Sequence, residues 1–219
     1  MTFSGCLEAD SIELAFGERK ILQSIYLKMP FGEVTAILGR NGCGKSSLLQ
    51  IIFGTLKPVY KSVRWDKRFV EYPYREQNLV RYLPQHPLTP PSMQVQKAFE
   101  RYGALVDASL NEKWQGIKNK RFGELSGGER RFWETLLILY SPVQFILLDE
   151  PFSRLSPIYV ELLKELIVAQ KTQKGILITD HLYREVLDIA DQTYLLQNGT
   201  TYLLTDPVQE LIDRGYIPE

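Results

Sequence analysis

Eight residues, Gly39-Arg40-Asn41-Gly42-Cys43-Gly44-Lys45-Ser46, match the pattern G-x-x-x-x-G-K-[ST]. These residue types suit one task, the holding of phosphate oxygens. Glycines let backbone N–H groups turn inward, and the helix that follows adds positive potential at its N-terminus. Lys45 reaches the β- and γ-phosphates, and the Ser46 hydroxyl ligates Mg2+. An apolar run at 34–38 precedes the loop and a helical pattern at 46–53 follows it, the context such a loop needs. Cys43 lies inside the loop, where its backbone matters more than its thiol.

Two carboxylates follow a buried apolar run, Phe145-Ile146-Leu147-Leu148-Asp149-Glu150. A carboxylate at a strand end can hold Mg2+ through its waters, because this hard cation keeps several waters and takes one or two carboxylates. Glu150, one residue further, points elsewhere and is placed to polarise an attacking water, a role worth about 10²–10⁴ in rate. A second glycine motif, Leu125-Ser126-Gly127-Gly128-Glu129, opens another helical pattern. Ser126 and Glu129 have capping-box spacing. A cap does not explain two consecutive glycines in a first turn, where each costs about 1 kcal/mol against alanine. They bare the helix N-terminus so that N–H groups and the Ser126 hydroxyl can meet an anion closely.

The elements that position these groups are written in the pattern around them. Alternation predicts strands at 7–16 and 21–27, joined by a turn at 17–20. The run at 34–38 reads as a strand buried on both faces. Shorter strands are expected at 62–65 and 80–83, after which Pro84, Pro87, Pro90 and Pro91 exclude helix. The segment 92–120 reads as helical, with Val95, Phe99, Tyr102 and Leu105 on helical spacing. Beyond Ser126, helices at 127–139, 157–170 and 182–189 alternate with strands at 144–148, 175–179 and 193–196. That alternation implies an α/β fold with a mainly parallel sheet flanked by helices, whose ligands sit at the carboxyl ends of the strands.

Composition narrows the class. The chain has 219 residues, 44% apolar and 24% charged, ordinary globular usage that excludes disorder. Twenty-six Lys and Arg balance 26 Asp and Glu, so nucleic acid is not expected as a partner. Cys6 and Cys43 allow at most one disulfide, which fits a reducing cytosol. No stretch reaches the roughly 18 apolar residues of a membrane span. The run Phe3-Ser4-Gly5-Cys6 is shaped like a lipoprotein cleavage site, but no hydrophobic segment precedes it, so no anchor is expected.

In motif order and spacing the chain resembles the ATP-binding cassette (ABC) ATPases over nearly its whole length, as a single domain (1–219). The matching pieces are a Walker A loop at 39–46, a Q-loop at Gln85 in Tyr82-Leu83-Pro84-Gln85 and the signature at 125–129. A Walker B strand at 145–149 with Glu150 and a switch histidine, His181 in Thr179-Asp180-His181, complete the set. The resemblance implies a P-loop NTPase of ABC type with an N-terminal antiparallel β subdomain and a small helical subdomain at about 86–125. It implies ATP and Mg2+ as cofactors. ATP would be held by Gly39, Arg40, Asn41, Gly42, Cys43, Gly44, Lys45, Ser46 and Ser47, with Phe16 stacking on adenine. Mg2+ would be held by Ser46, Gln85 and Asp149, and catalysis carried by Glu150, His181 and Gln85. It further implies head-to-tail pairing with a second ATPase subunit, whose Ser126, Gly127, Gly128 and Glu129 complete each ATP site. Separately encoded transmembrane permease subunits are the implied partners, with the helical subdomain as docking surface. The chain would then lie in the cytoplasm, peripheral to the membrane.

One departure stands out. Family members commonly carry Leu-Asp at the end of the loop after Walker B; here it reads Phe152-Ser153-Arg154-Leu155-Ser156-Pro157. Ser156 before Pro157 is expected to cap the next helix, while the bridging carboxylate is absent. The alternative function is a soluble ABC ATPase driving assembly or remodelling. A single cassette without a coiled-coil insertion disfavours the translation-factor and chromosome-maintenance types.

Overall fold

Two sheets carry the chain in the computed structural model, which describes residues 5–218; Phe3 and Ser4 lie outside the described residues. The N-terminal half contributes β1 (Cys6–Phe16), β2 (Arg19–Pro30), β3 (Val34–Leu38), α1 (Lys45–Phe53), β4 (Tyr60–Trp65), β5 (Arg68–Phe69) and β6 (Val80–Leu83). Then come α2 (Val95–Tyr102), α3 (Asn111–Ile117), α4 (Gly127–Leu139), β7 (Phe145–Asp149), α5 (Pro157–Lys171) and β8 (Gly175–Thr179). The chain continues through α6 (Tyr183–Leu187), β9 (Gln192–Gln197), β10 (Thr200–Leu204) and α7 (Pro207–Asp213). One sheet is antiparallel, in the order β2-β1-β4-β5; the other runs β10-β9-β3-β8-β7-β6. In the second sheet β3, β6, β7, β8 and β9 are parallel and only β10 is antiparallel.

Every residue of β3, β7 and β8 is buried, as their continuous apolar runs require. Alternate side chains serve two cores. Val34, Ala36, Ile146, Leu148, Ile176 and Ile178 join the core beneath α4 and α5. Ile37, Phe145, Leu147 and Leu177 join the core shared with α1 and the antiparallel sheet. Because β3, β7 and β8 run the same way in register, Gly39, Glu150 and Asp180 leave the sheet at one edge.

The segment 92–120 is not one helix. Gly103 ends α2 in the left-handed region (φ 66°), its N–H bonding to Glu100 and Phe99 carbonyls, a glycine stop that L-residues with a side chain resist. Leu105, expected on the apolar face, is 82% exposed. Phe99 instead packs with Trp114 of α3 and Trp133 of α4. The first hairpin is also tighter than expected: Phe16 pairs with Arg19, so the turn is Gly17-Glu18 and Arg19 and Lys20 belong to β2.

Candidate active site

The loop between β3 and α1 turns on glycines. Gly44 is the N-cap of α1 with φ 109°, and it offers no side chain to the first turn, which also lacks acidic residues. The leading N–H groups and the positive helix end are therefore left to an external anion. A side chain at Gly39 would meet Cys43 Sγ and the Leu196 carbonyl at 2.7 Å, so the loop closes on itself only with glycine there. Lys45 is buried, its ammonium donating to the Gly39 carbonyl (2.6 Å) and Arg40 carbonyl (3.3 Å). Ser46 and Ser47 follow in the first turn, half-buried. Arg40 points away from the loop and donates to the Gly215 carbonyl (2.8 Å).

Across the edge, Asp149 is 1% exposed. One of its oxygens accepts from the Tyr82 hydroxyl (3.0 Å) and the other from Thr179 Oγ1 (2.9 Å). An ionised carboxylate has about four acceptor sites, so each oxygen keeps capacity for a metal or its waters. Glu150 has φ 55°, a region that residues with side chains seldom occupy. Its N–H donates to the Thr179 carbonyl (2.7 Å) and its carbonyl accepts from Arg131, contacts that hold it there. Its carboxylate accepts from Gln85 Nε2 (2.8 Å) and lies 3.9 Å from His181 Nδ1. Asp180, fully buried, accepts from the Phe152 and Leu182 N–H groups. Burial pushes its carboxyl above the usual range despite those bonds.

The three residues proposed from sequence for catalysis, Gln85, Glu150 and His181, thus converge. The signature residues stand at the start of α4. Ser126 and Glu129 form the expected capping box: Ser126 N–H donates to Glu129 (2.9 Å), and Glu129 N–H to Ser126 Oγ (3.2 Å). Those bonds hold the Glu129 carboxyl below its usual range. Of the two glycines, Gly128 also has a packing reason to be glycine. A side chain on Gly128 would meet the Arg154 carbonyl at 2.6 Å, so the close approach of the loop after β7 demands that glycine. Gly127 has only the Arg154 Cδ, 4.0 Å away. Gln85 and Gly127 line one cavity of about 230 Å³ with Arg131 and Arg154. Phe16 is 58% exposed at the end of β1. Ser156 occupies the N-cap of α5 ahead of Pro157, but its side chain makes no cap bond.

Sequence reasoning missed Arg131. It is 6% exposed in the middle of α4. Its guanidinium donates to the Pro84 carbonyl (2.7 Å), to the Asp149 carbonyl and to the Glu150 carbonyl (3.1 Å). One side chain of the signature helix therefore pins the Q-loop and the Walker B end. Burial lowers its affinity for the proton, and Glu134, Asp149, Asp180 and Glu150 oppose that. The sequence carries little signal for it, because its partners are all backbone carbonyls.

The donor set of Ser46, Asp149 and Gln85 is hard oxygen beside a helix N-terminus, the kind that suits Mg2+ with a polyphosphate. The ABC transporter family's sequence profile matches residues 22–153. A probable ABC transporter ATP-binding protein of Azorhizobium caulinodans is 33% identical, over 94% of this chain and 79% of its own. The lipopolysaccharide export system ATP-binding protein LptB of Acidithiobacillus ferridurans is 30% identical, over 96% of this chain and 93% of its own. Among solved structures, the nucleotide-free ATP-binding cassette of an ABC transporter superposes with a TM-score of 0.79 at 22% identity, covering 98% and 100% of the two chains. An ATP-binding subunit of an ABC transporter gives 0.80 at 20% identity, covering 95% and 94%.

Proposed function

The chain belongs to the ABC transporter family as an ATP-binding, ATP-hydrolysing subunit that powers transport, and we propose the following division of labour among its residues. Loop N–H groups from 39–46 and the Lys45 ammonium bind the β- and γ-phosphates, Ser47 extends that contact, and Phe16 stacks on the adenine. Ser46, Asp149 and Gln85 hold Mg2+, which when bound offsets the charge that builds on the phosphate oxygens. Glu150 accepts a proton from the attacking water, oriented by Gln85. His181 contacts the γ-phosphate and keeps Glu150 aimed. The observation that carries this reading is the meeting of Gln85 and His181 on one Glu150 carboxylate, at 2.8 and 3.9 Å.

The remaining donors come from a second subunit. The open side of Gly127 admits a phosphate from outside the chain. ATP then sits between paired copies. Membrane permease subunits dock where the helical segment (about 86–125) meets the sheet. A groove of about 540 Å³ there is lined by Gln50 and Phe53 of α1, Arg81 and Tyr82 of β6, His86, and Arg101 of α2. Among the described residues no helix is long and apolar enough to cross a membrane. In this reading the chain reaches the membrane's cytoplasmic face through those partners.

The test combines phosphate release with equilibrium binding of a fluorescent ATP analogue. Lys45→Ala loses tight binding. Glu150→Gln keeps binding while turnover falls about 10²–10⁴-fold. Normal hydrolysis by Glu150→Gln would remove Glu150 from the role of base.

A further inference from the structure

Tyr82 belongs to two places at once. Its hydroxyl donates to Asp149 Oδ2 at 3.0 Å, while its ring lines the groove between α2 and the sheet. The ring packs at a tilt against Phe53, centroids 5.5 Å apart. Thr179 fixes the other Asp149 oxygen from β8. The carboxylate is thus clamped from both sides, one clamp being a deep-core hydroxyl and the other part of an open surface.

We infer that Tyr82 is a positioning residue for Asp149, and that it makes the aim of that carboxylate depend on how the groove is packed. The inference rests on the reading of Asp149 as a holder of Mg2+. Partners hydrogen-bonded behind a metal ligand set its orientation, and their loss costs about 10–100-fold in metal affinity or activity. Tyr82→Phe removes only the hydroxyl and keeps the ring against Phe53. Phe53→Leu keeps the hydroxyl and loosens the ring from the groove side.

The experiment titrates Mg2+ against binding of a fluorescent ATP analogue by the full chain, with an EDTA arm and with Mn2+ paramagnetic resonance as an independent readout of the ion. Thermal unfolding is followed for every variant. Tyr82→Phe is expected to leave affinity in EDTA unchanged and to raise half-saturating Mg2+ by roughly 10-fold or more. Phe53→Leu shifts it the same way by a few-fold, and it serves as the second probe should Tyr82→Phe unfold. Asp149→Asn is the reference: a shift there with none in Tyr82→Phe overturns the inference and spares the reading of Asp149. No shift in Asp149→Asn overturns that reading itself. A shift in Tyr82→Phe with none in Phe53→Leu overturns the link to the groove.

Discussion

Replacing Arg131 tests how the signature helix is tied to the chemistry. The guanidinium makes charge-assisted bonds to the carbonyls of Pro84, Asp149 and Glu150. Bonds to a charged group are worth about 1.5–3 kcal/mol each and do not add fully. Arg131→Met fills similar space but strands three carbonyls in a site that is almost wholly buried. Breaking a buried charged network from one side costs about 3–5 kcal/mol. At about 2–4 °C per kcal/mol for a chain of this size, Tm drops by roughly 6–20 °C. Arg131→Lys keeps the charge without the planar fork and recovers only part of that loss. The second effect is catalytic. Arg131 holds the Glu150 backbone in its left-handed turn and the residue before Gln85, so kcat falls while nucleotide affinity, proposed to rest on the loop at 39–46, stays. The assay is calorimetric unfolding paired with phosphate release, run well below the variant's own Tm so that folded fraction is not limiting. A variant with unchanged Tm and normal kcat would refute the reasoning; lowered Tm with normal kcat would refute its catalytic half.

Three more outcomes are expected. Gly128→Ala forces a Cβ to within 2.6 Å of the Arg154 carbonyl and destabilises by about 1–3 kcal/mol, whereas Gly127→Ala leaves Tm nearly unchanged; chemical denaturation of the two side by side checks this. Ser126→Arg loses its cap, worth about 1 kcal/mol, yet folds; with ATP in a Glu150→Gln background it elutes as a monomer in size exclusion, while Ser126→Ala, equally uncapped, still dimerises. Burial pushes the Lys174 ammonium down to about 8, although it donates to the Leu139 and Ser141 carbonyls. Between about pH 8 and 10.5 only the unfolded chain keeps that proton, so stability rises with pH by up to about 1.4 kcal/mol per unit. Below that window the cost of burying the charge is at full size. Urea unfolding from pH 7 to 10 shows the rise, and Lys174→Met lacks it.

What could be read from the sequence was whatever is written in local spacing. The phosphate loop, the acidic strand end, the capping box at Ser126 and Glu129 and the parallel strands depend on neighbours in the chain, and they appear where the residues place them. The apolar spacing of Phe99, Tyr102 and Leu105 runs across Gly103. The aromatic packing of Phe99 on Trp114 and Trp133 is long-range and reshaped the segment. Arg131 and Gly128 were hidden for a related reason. Their partners, the carbonyls of Pro84, Asp149, Glu150 and Arg154, are backbone atoms that no residue identity announces. The strand β10 and the helix α7 carry mixed polar patterns, half-exposed, with too little periodicity to declare themselves.

The most direct test of the central claim, that one copy's signature completes the other copy's ATP site, is a structure of Glu150→Gln with Mg2+ and ATP. The account predicts a head-to-tail pair with Ser126 Oγ and the Gly127–Gly128 N–H groups of one copy within hydrogen-bond distance of the γ-phosphate held by the other copy's Lys45. A nucleotide fully bound within one copy, with Ser126 turned to solvent, would contradict it.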